Sequence, residues 1–294
     1  WKNLRQHLTR GDGSFTFEYS ATFGQVITDK NKFLFNEYAK SIIFDYSYRH
    51  FYTDGYGKDF SVFNLDANNE YSDEQNRLLL TGSLLGYYEQ LVLFEQYQDE
   101  LRQYNVEKPL WVFVGSRVIS SNGSNQLNKG DKQSVSDVTR IVNFFKFILS
   151  SPEKLQQQID KILSEQSDLR DKNGDDIFKP RFKYLKENKP VAEEILNKVF
   201  NGIGSLEAFQ VKQAEGEIAL KTKTSDNYFA VINIGDVPKY TKTLETDTNG
   251  ELSIEGDNFS KSLFQAISET NSTINILIGS KKFIEGWNSW RVSS

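Results

Sequence analysis

The chain has 294 residues, 38% apolar and 14% aromatic, with a net charge of −5; this suits one large or two ordinary cores and argues against wholesale disorder. Cysteine is absent and the histidines are His7 and His50, which excludes disulfides, thiolate metal sites and a histidine-rich metal centre. No apolar run approaches the roughly 18 residues that span a bilayer, residues 1–10 do not read as a signal peptide, and the acidic balance argues against a generic nucleic-acid coat while leaving room for a local basic patch. A soluble, cytoplasmic protein is the simplest expectation. The start at Trp1 and the lack of methionine suggest a piece of a longer protein.

Residues 1–10 read as the tail of a helix, closed by Gly11-Asp12-Gly13. Phe15, Phe17 and Tyr19 alternate with Thr16 and Glu18, the period of a strand. That strand runs into Ser20-Ala21-Thr22, a hydroxyl-bearing turn, for which an ordinary turn is the plain alternative. Residues 33–63 are crowded with aromatics, with Arg49 and His50 among them. Such a surface can stack bases, but an interdomain packing layer is the favoured reading. A long helix is expected over 74–104, where Leu78, Leu84, Leu85, Tyr88, Leu91 and Val92 share one face. Asn105 to Pro109 then reads as a domain boundary.

Leu110 to Gly115 is a continuous apolar run, suited to a parallel strand buried on both faces. A Ser/Asn/Gly-rich loop follows, then a helix from about Ser134 with a possible capping box at Ser134 and Asp137. Its apolar face is Val138, Ile141, Val142, Phe145, Ile148 and Leu149. Ser151-Pro152 opens another helix, serine as cap and proline in the first turn. Asp171 to Asp176 invites a metal-loop reading, but it lacks the alternating ligands and closing glutamate of a calcium loop, so a solvated turn is expected. A short helix covers 191–200. A hairpin is expected from 209–212 and 217–222 around Ala214-Glu215-Gly216. Phe229 to Ile234 is a second buried run, closed by Gly235; residues 241–256 are polar and turn-rich; Phe259, Leu263, Phe264 and Ile267 fit a helix.

The last stretch opens with Ile274, Ile276, Leu277 and Ile278 and breaks at Gly279-Ser280 into a polar loop with Lys281, Lys282 and Glu285-Gly286-Trp287-Asn288. A buried strand followed by such a loop is how α/β proteins build ligand sites at a sheet's carboxyl edge. A plain strand-to-helix turn with an exposed tryptophan is the alternative. Three apolar runs ending in Gly115, Gly235 and Gly279, with helices between them, predict an α/β sheet with helical crossovers. Ser116, Arg117, Asp236 and residues 281–288 would then line one crevice.

Three motifs carry a family resemblance. Ser20-Ala21-Thr22 resembles motif III of superfamily 2 helicases. Trp111 to Arg117 resembles motif IV, the opening strand of the second RecA-like domain. Glu285-Gly286-Trp287-Asn288 with Arg291-Val292 resembles motif V of the restriction and DEAD/DEAH-like branch, where the usual pattern is E-G-W-D; Asn288 stands in place of that aspartate. In this order the chain resembles the middle of a type III restriction enzyme Res-subunit-like helicase.

The resemblance implies a RecA-like, P-loop NTPase-type sheet. It divides the chain into the end of a first RecA-like domain (1–40), a helical connector (41–105) and a truncated second RecA-like domain (106–294) with an insertion at about 150–225. It implies that Ser20 and Thr22 couple nucleotide state to nucleic-acid grip. Together with Glu285, Gly286 and Asn288 they form the expected catalytic set. Gly286, Trp287, Asn288 and Arg291 are the expected nucleotide contacts, and Ser116, Arg117, Lys281 and Lys282 the expected contacts to nucleic-acid phosphates. The implied cofactors are ATP and Mg2+, held mainly by a first domain outside this chain, since no G-x-x-x-x-G-K-[ST] loop is present. The implied partners are double-stranded DNA and a methyltransferase subunit. A non-catalytic α/β binding module is the alternative. A hydrolase using His50 with Asp45 or Asp54 ranks third, because no nucleophile motif accompanies it.

Overall fold

The computed structural model describes residues 2–20, 32–57, 71–115, 137–234, 237–247, 250–280, 289 and 291. The chain divides into two units, residues 1–62 and 63–294.

In the first unit the described helices are α1 (Lys2–Leu8), α2 (Lys32–Tyr38) and α3 (Tyr48–Thr53). The strand expected at Phe15 to Tyr19 does not form: these residues have no regular secondary structure, and no strand pairs with them among the described residues. Alternation alone does not stabilise a lone strand, which needs a ladder to satisfy its backbone. The aromatics of this unit cluster locally, as in the stacked Phe44–Tyr46 and Tyr46–His50 pairs, yet most remain exposed, Phe44 at 79%.

The second unit begins with α4 (Asp73–Gln96) and α5 (Gln98–Arg102). A capping box starts α4: the Ser72 hydroxyl accepts from the Gln75 N–H at 3.2 Å, and the Gln75 side chain accepts from the Ser72 N–H at 3.0 Å. Asp73 and Glu74 in its first turn complement the helix dipole. There follow β1 (Trp111–Gly115), α6 (Asp137–Ser150), α7 (Pro152–Leu163), α8 (Lys183–Asn188) and α9 (Ala192–Phe200). Pro152 opens α7 as expected, but Ser151 makes no side-chain cap bond. The chain closes with β2 (Leu206–Val211), β3 (Glu217–Thr222), β4 (Ala230–Asn233), α10 (Val237–Asp247), β5 (Ile254–Asp257) and β6 (Ile276–Ser280).

The fold of this unit is α/β. Its six described strands lie in the order β1-β6-β4-β3-β2-β5. β1 pairs parallel with β6, β6 with β4, and β2 with β5; β3 alone runs against its neighbours. The sheet is therefore mixed, with a hairpin meander, β2-β3-β4, set into a parallel frame. The carboxyl ends of β1, β6, β4, β2 and β5 share one edge.

The strand alternation sorts the core into two faces. Trp111, Ala208, Ile218, Leu220, Ala230, Ile232, Ile276 and Ile278 point to one side and join a large cluster with residues of α4, α6, α7, α9 and α10. Leu110, Val231 and Leu277 point to the other side, where they meet Ile267 and Ile274; Val211 and Ala219 cluster with Ala214. Among the described residues the second face is covered by the segment 258–268 rather than by an α-helix. The helix expected from Phe259 to Ile267 is thus absent. Only a 3-10 turn at Gln265–Ser268 forms, and Phe259 is 91% exposed.

The polar stretch 241–256 is more regular than expected, holding most of α10 and the start of β5. The expected connector 41–105 spans the boundary between the units, and α4 packs with α7 and α9 in the second. One buried bond of that packing joins the Thr81 hydroxyl to Gln158 at 2.7 Å. Gly82 lets α4 approach the Phe178 ring: a Cβ there would lie 2.3 Å from it. Among the described residues no helix is long and apolar enough to cross a membrane.

Candidate site at the carboxyl edge of the sheet

The expected site residues follow the ends of β1 and β6. These strands are neighbours in parallel register, with Val114 opposite Gly279 and Gly115 opposite Ser280. β4 lies on the other side of β6, Asn233 opposite Gly279. Three chain segments, at 116, 234 and 281, therefore leave adjacent strands at one edge. The side chains of Ser116, Arg117, Asp236, Lys281, Lys282, Glu285, Gly286, Trp287 and Asn288 lie outside the described residues, as does Thr22. Ser20 is exposed in the first unit, outside regular secondary structure.

Arg291 is described, and it is 3% exposed. Its Nε donates to the Lys108 carbonyl at 2.9 Å; Nη2 donates to the Ile274 carbonyl at 2.7 Å and the Pro109 carbonyl at 3.4 Å; Nη1 donates to the Ile267 carbonyl. Its own carbonyl accepts the Leu110 N–H at 2.7 Å. Burial draws the guanidinium below its ordinary value, opposed by Tyr87 and Glu107. The residue expected to touch nucleotide is engaged instead as a clamp on the entries to β1 and β6. That clamp sits at the amino end of these strands, away from the edge where their loops emerge.

Two carboxylates that sequence reasoning passed over organise the β2-β3-β5 side of the edge. Glu217, first residue of β3, is 3% exposed. It accepts from the Ser262 hydroxyl at 2.5 Å and from the N–H groups of Leu263 at 2.8 Å and Phe264 at 3.3 Å. Asp257, last residue of β5, accepts from the Tyr228 hydroxyl at 2.7 Å and from the N–H groups of Phe259 at 2.8 Å and Ser260 at 3.1 Å. The spacing Asp257-Asn258-Phe259-Ser260 is that of an Asx turn, the one sequence signal that pointed here.

Burial works to raise the Asp257 pKa, but the hydrogen bonds from Ser260, Tyr228 and the two N–H groups outweigh it and hold the carboxyl well below the usual range. Burial first, then the bond to Asp257, pushes the Tyr228 phenol up. Because the folded value is lowered, the stability Asp257 contributes is fully present above its unfolded value of about 4 and is lost as pH falls toward the folded value. Asp257→Asn is expected to cost about 1 kcal/mol at pH 7, a charged hydrogen-bond network discounted for solvent screening. The difference from wild type should shrink steadily below pH 4. Urea midpoints at pH 7 and pH 3 check it, and an equal gap at both pH values would remove the assignment.

Beside these carboxylates lies an open depression of about 450 Å3, bordered by Gln210, Lys212, Gln213, Glu215, Val237 and Pro238. Gly216 shapes its floor. It has φ +82°, and a Cβ there would stand 2.4 Å from the Ile234 carbonyl oxygen. That geometry lets the Ile234 N–H reach the Gly216 carbonyl at 2.8 Å.

Among the described residues no group of three or more His, Asp or Glu is placed to hold a metal ion. In the Asp171 turn the carboxylate instead accepts the N–H groups of Asn173 at 2.8 Å and Asp175 at 3.0 Å. In the first unit, Asp54 accepts the Tyr46 hydroxyl at 2.6 Å. That bond raises the Tyr46 pKa to about 12. Compared with known proteins, the chain matches no family model, no curated protein and no solved structure.

Proposed function

We propose that the chain is the second motor domain, with its connector, of an ATP-dependent DNA translocase or helicase of the kind found in type III restriction enzyme Res subunits, and that its sheet is RecA-like. The observation that supports this reading is the parallel pairing of β1 with β6. It brings the carboxyl ends of the two strands, Gly115 and Ser280, side by side at the edge where open α/β sheets bind ligands; Ser116 and Arg117 follow the first in sequence, and Lys281 to Asn288 the second. Lys281, Lys282 and Arg117 would meet nucleic-acid phosphates. Glu285, Gly286 and Asn288 would face nucleotide at the cleft with a phosphate-loop domain, which would supply the main ATP and Mg2+ contacts. Closure and reopening of that cleft would step the protein along DNA.

A second reading, a binding module that keeps the fold without motor activity, draws on Arg291. The described residue of the motif V resemblance is engaged with four carbonyls rather than pointed at a ligand.

The intact protein is expected to hydrolyse ATP about tenfold faster or more with double-stranded DNA, the size of an ordinary coupling between sites. Glu285→Gln should remove most of that activity while leaving the circular dichroism spectrum unchanged. A folded, intact protein that stays silent with DNA overturns the motor reading and leaves the binding module.

A further inference from the structure

We propose that residues 258–268 form a strap over the face of the sheet that no described α-helix covers, latched by Glu217, that opens as a unit while the sheet stays folded. The inference rests on the geometry of the strap alone and is independent of the motor reading.

Three observations carry it. The strap has little internal structure, since its only regular element is the 3-10 turn Gln265–Ser268. Its attachments are few and concentrated. Glu217 captures Ser262, Leu263 and Phe264; Asp257 captures Phe259 and Ser260; the Gln213 side-chain amide donates to the Asn258 carbonyl at 2.8 Å; and Arg291 holds the Ile267 carbonyl at the far end. Its apolar hold is also small: Ile267 is buried, Leu263 and Phe264 are half-buried, and Phe259 faces solvent. The opposite face of the sheet packs into one continuous cluster with residues of α4, α6, α7, α8, α9 and α10. Segments with few buried contacts and localised hydrogen bonds open below the global unfolding free energy.

Opening would uncover Val231, Leu277, Val211 and Ala219, an apolar strip crossing four strands. Glu217 suits the latch role. It is a buried carboxylate whose side-chain hydrogen-bond partners among the described residues all lie on the strap, so release leaves it facing an opened, wet surface rather than a sealed core.

Native-state hydrogen exchange of the whole chain, read by mass spectrometry across low urea concentrations, tests the proposal. Peptides covering 259–268 are expected to exchange with a shallower urea dependence than peptides of β3, β4 and β6. Glu217→Gln should speed strap exchange by about tenfold or more, as loss of charge-assisted bonds implies, with sheet exchange unchanged. Ser262→Ala removes one of the three bonds and should give a smaller increase in the same peptides. If Glu217→Gln does not fold, the wild-type urea dependence and Ser262→Ala still decide. A strap that shares the sheet's urea dependence, or that exchanges at the wild-type rate in the folded variants, overturns the proposal.

Discussion

Arg291→Ala is expected to destabilise the second unit by about 3–5 kcal/mol, the range for breaking a buried charged network. The guanidinium donates to four carbonyls drawn from three separate stretches, at 108–109, 267 and 274. Its removal leaves those oxygens buried beside a cavity, and an unpaired buried polar group costs about 1–3 kcal/mol. Neighbouring bonds recover part of the loss; the Pro109 carbonyl, for example, also accepts the Tyr87 hydroxyl at 3.3 Å. For a unit of this size the expected fall in Tm is about 10 °C. Arg291→Lys should recover less than half of the loss, because an ammonium cannot reproduce the planar fork that reaches several carbonyls at once. Urea denaturation of the three proteins checks the ranking. A loss below about 1 kcal/mol for alanine would mean that water serves the carbonyls equally well.

Phe145→Ala is expected to cost about 3–5 kcal/mol, the usual range for deleting a buried aromatic ring. Phe145 is fully buried on α6. Its ring lies 6.1 Å from Trp111, 6.0 Å from Phe113, 5.3 Å from Phe200 and 6.0 Å from Phe229. It thus joins β1, α9 and the approach to β4, with edge contacts that favour aromatic partners over aliphatic ones. Several fixed elements surround the site, so collapse into the cavity is limited. Phe145→Leu keeps much of the volume and should cost less than about 1.5 kcal/mol. Calorimetry of both variants decides; equal losses would show that the ring contacts matter more than the filled volume.

Burial explains which elements could be read from the sequence. β1, β4 and β6 announce themselves as unbroken apolar runs because both of their faces are covered. The hairpin at Ala214-Glu215-Gly216 and the apolar face of α6 were equally plain. β5 was not: Ile254-Glu255-Gly256-Asp257 sits at the sheet's edge, where an acid, a glycine and a short length suit a strand with one open side. The strap misled for a different reason. Phe259, Leu263, Phe264 and Ile267 have helical spacing, but the N–H groups of 259, 260, 263 and 264 go to Asp257 and Glu217. A local Asx turn at Asp257 and the distant Glu217 capture donors that a helix would have used, and periodicity carries no trace of that. At the candidate site, the common edge of β1, β4 and β6 was legible from three glycine-terminated runs, but not that β1 and β6 are neighbours. The work of Arg291 was not, because a cation near the chain's end looks the same whether it meets a ligand or a carbonyl.

The pairing of β1 with β6 also bears on how the protein is made. Trp111 finds its partner in Ile276, 165 positions later. At a synthesis rate of about 5–20 residues per second, the wait between the two strands is roughly 10–30 s. During that time the nascent chain carries Leu110 to Val114 as an uncharged, unpaired segment of high β-propensity, the composition that invites aggregation. The helices α4, α6, α7 and α9 are all synthesised before β6, and their cluster can bury Trp111 and Phe113 early, with Leu110 and Val112 waiting on the other face. Yield in the cell should therefore depend on chaperone capacity more than the stability of the finished fold would suggest.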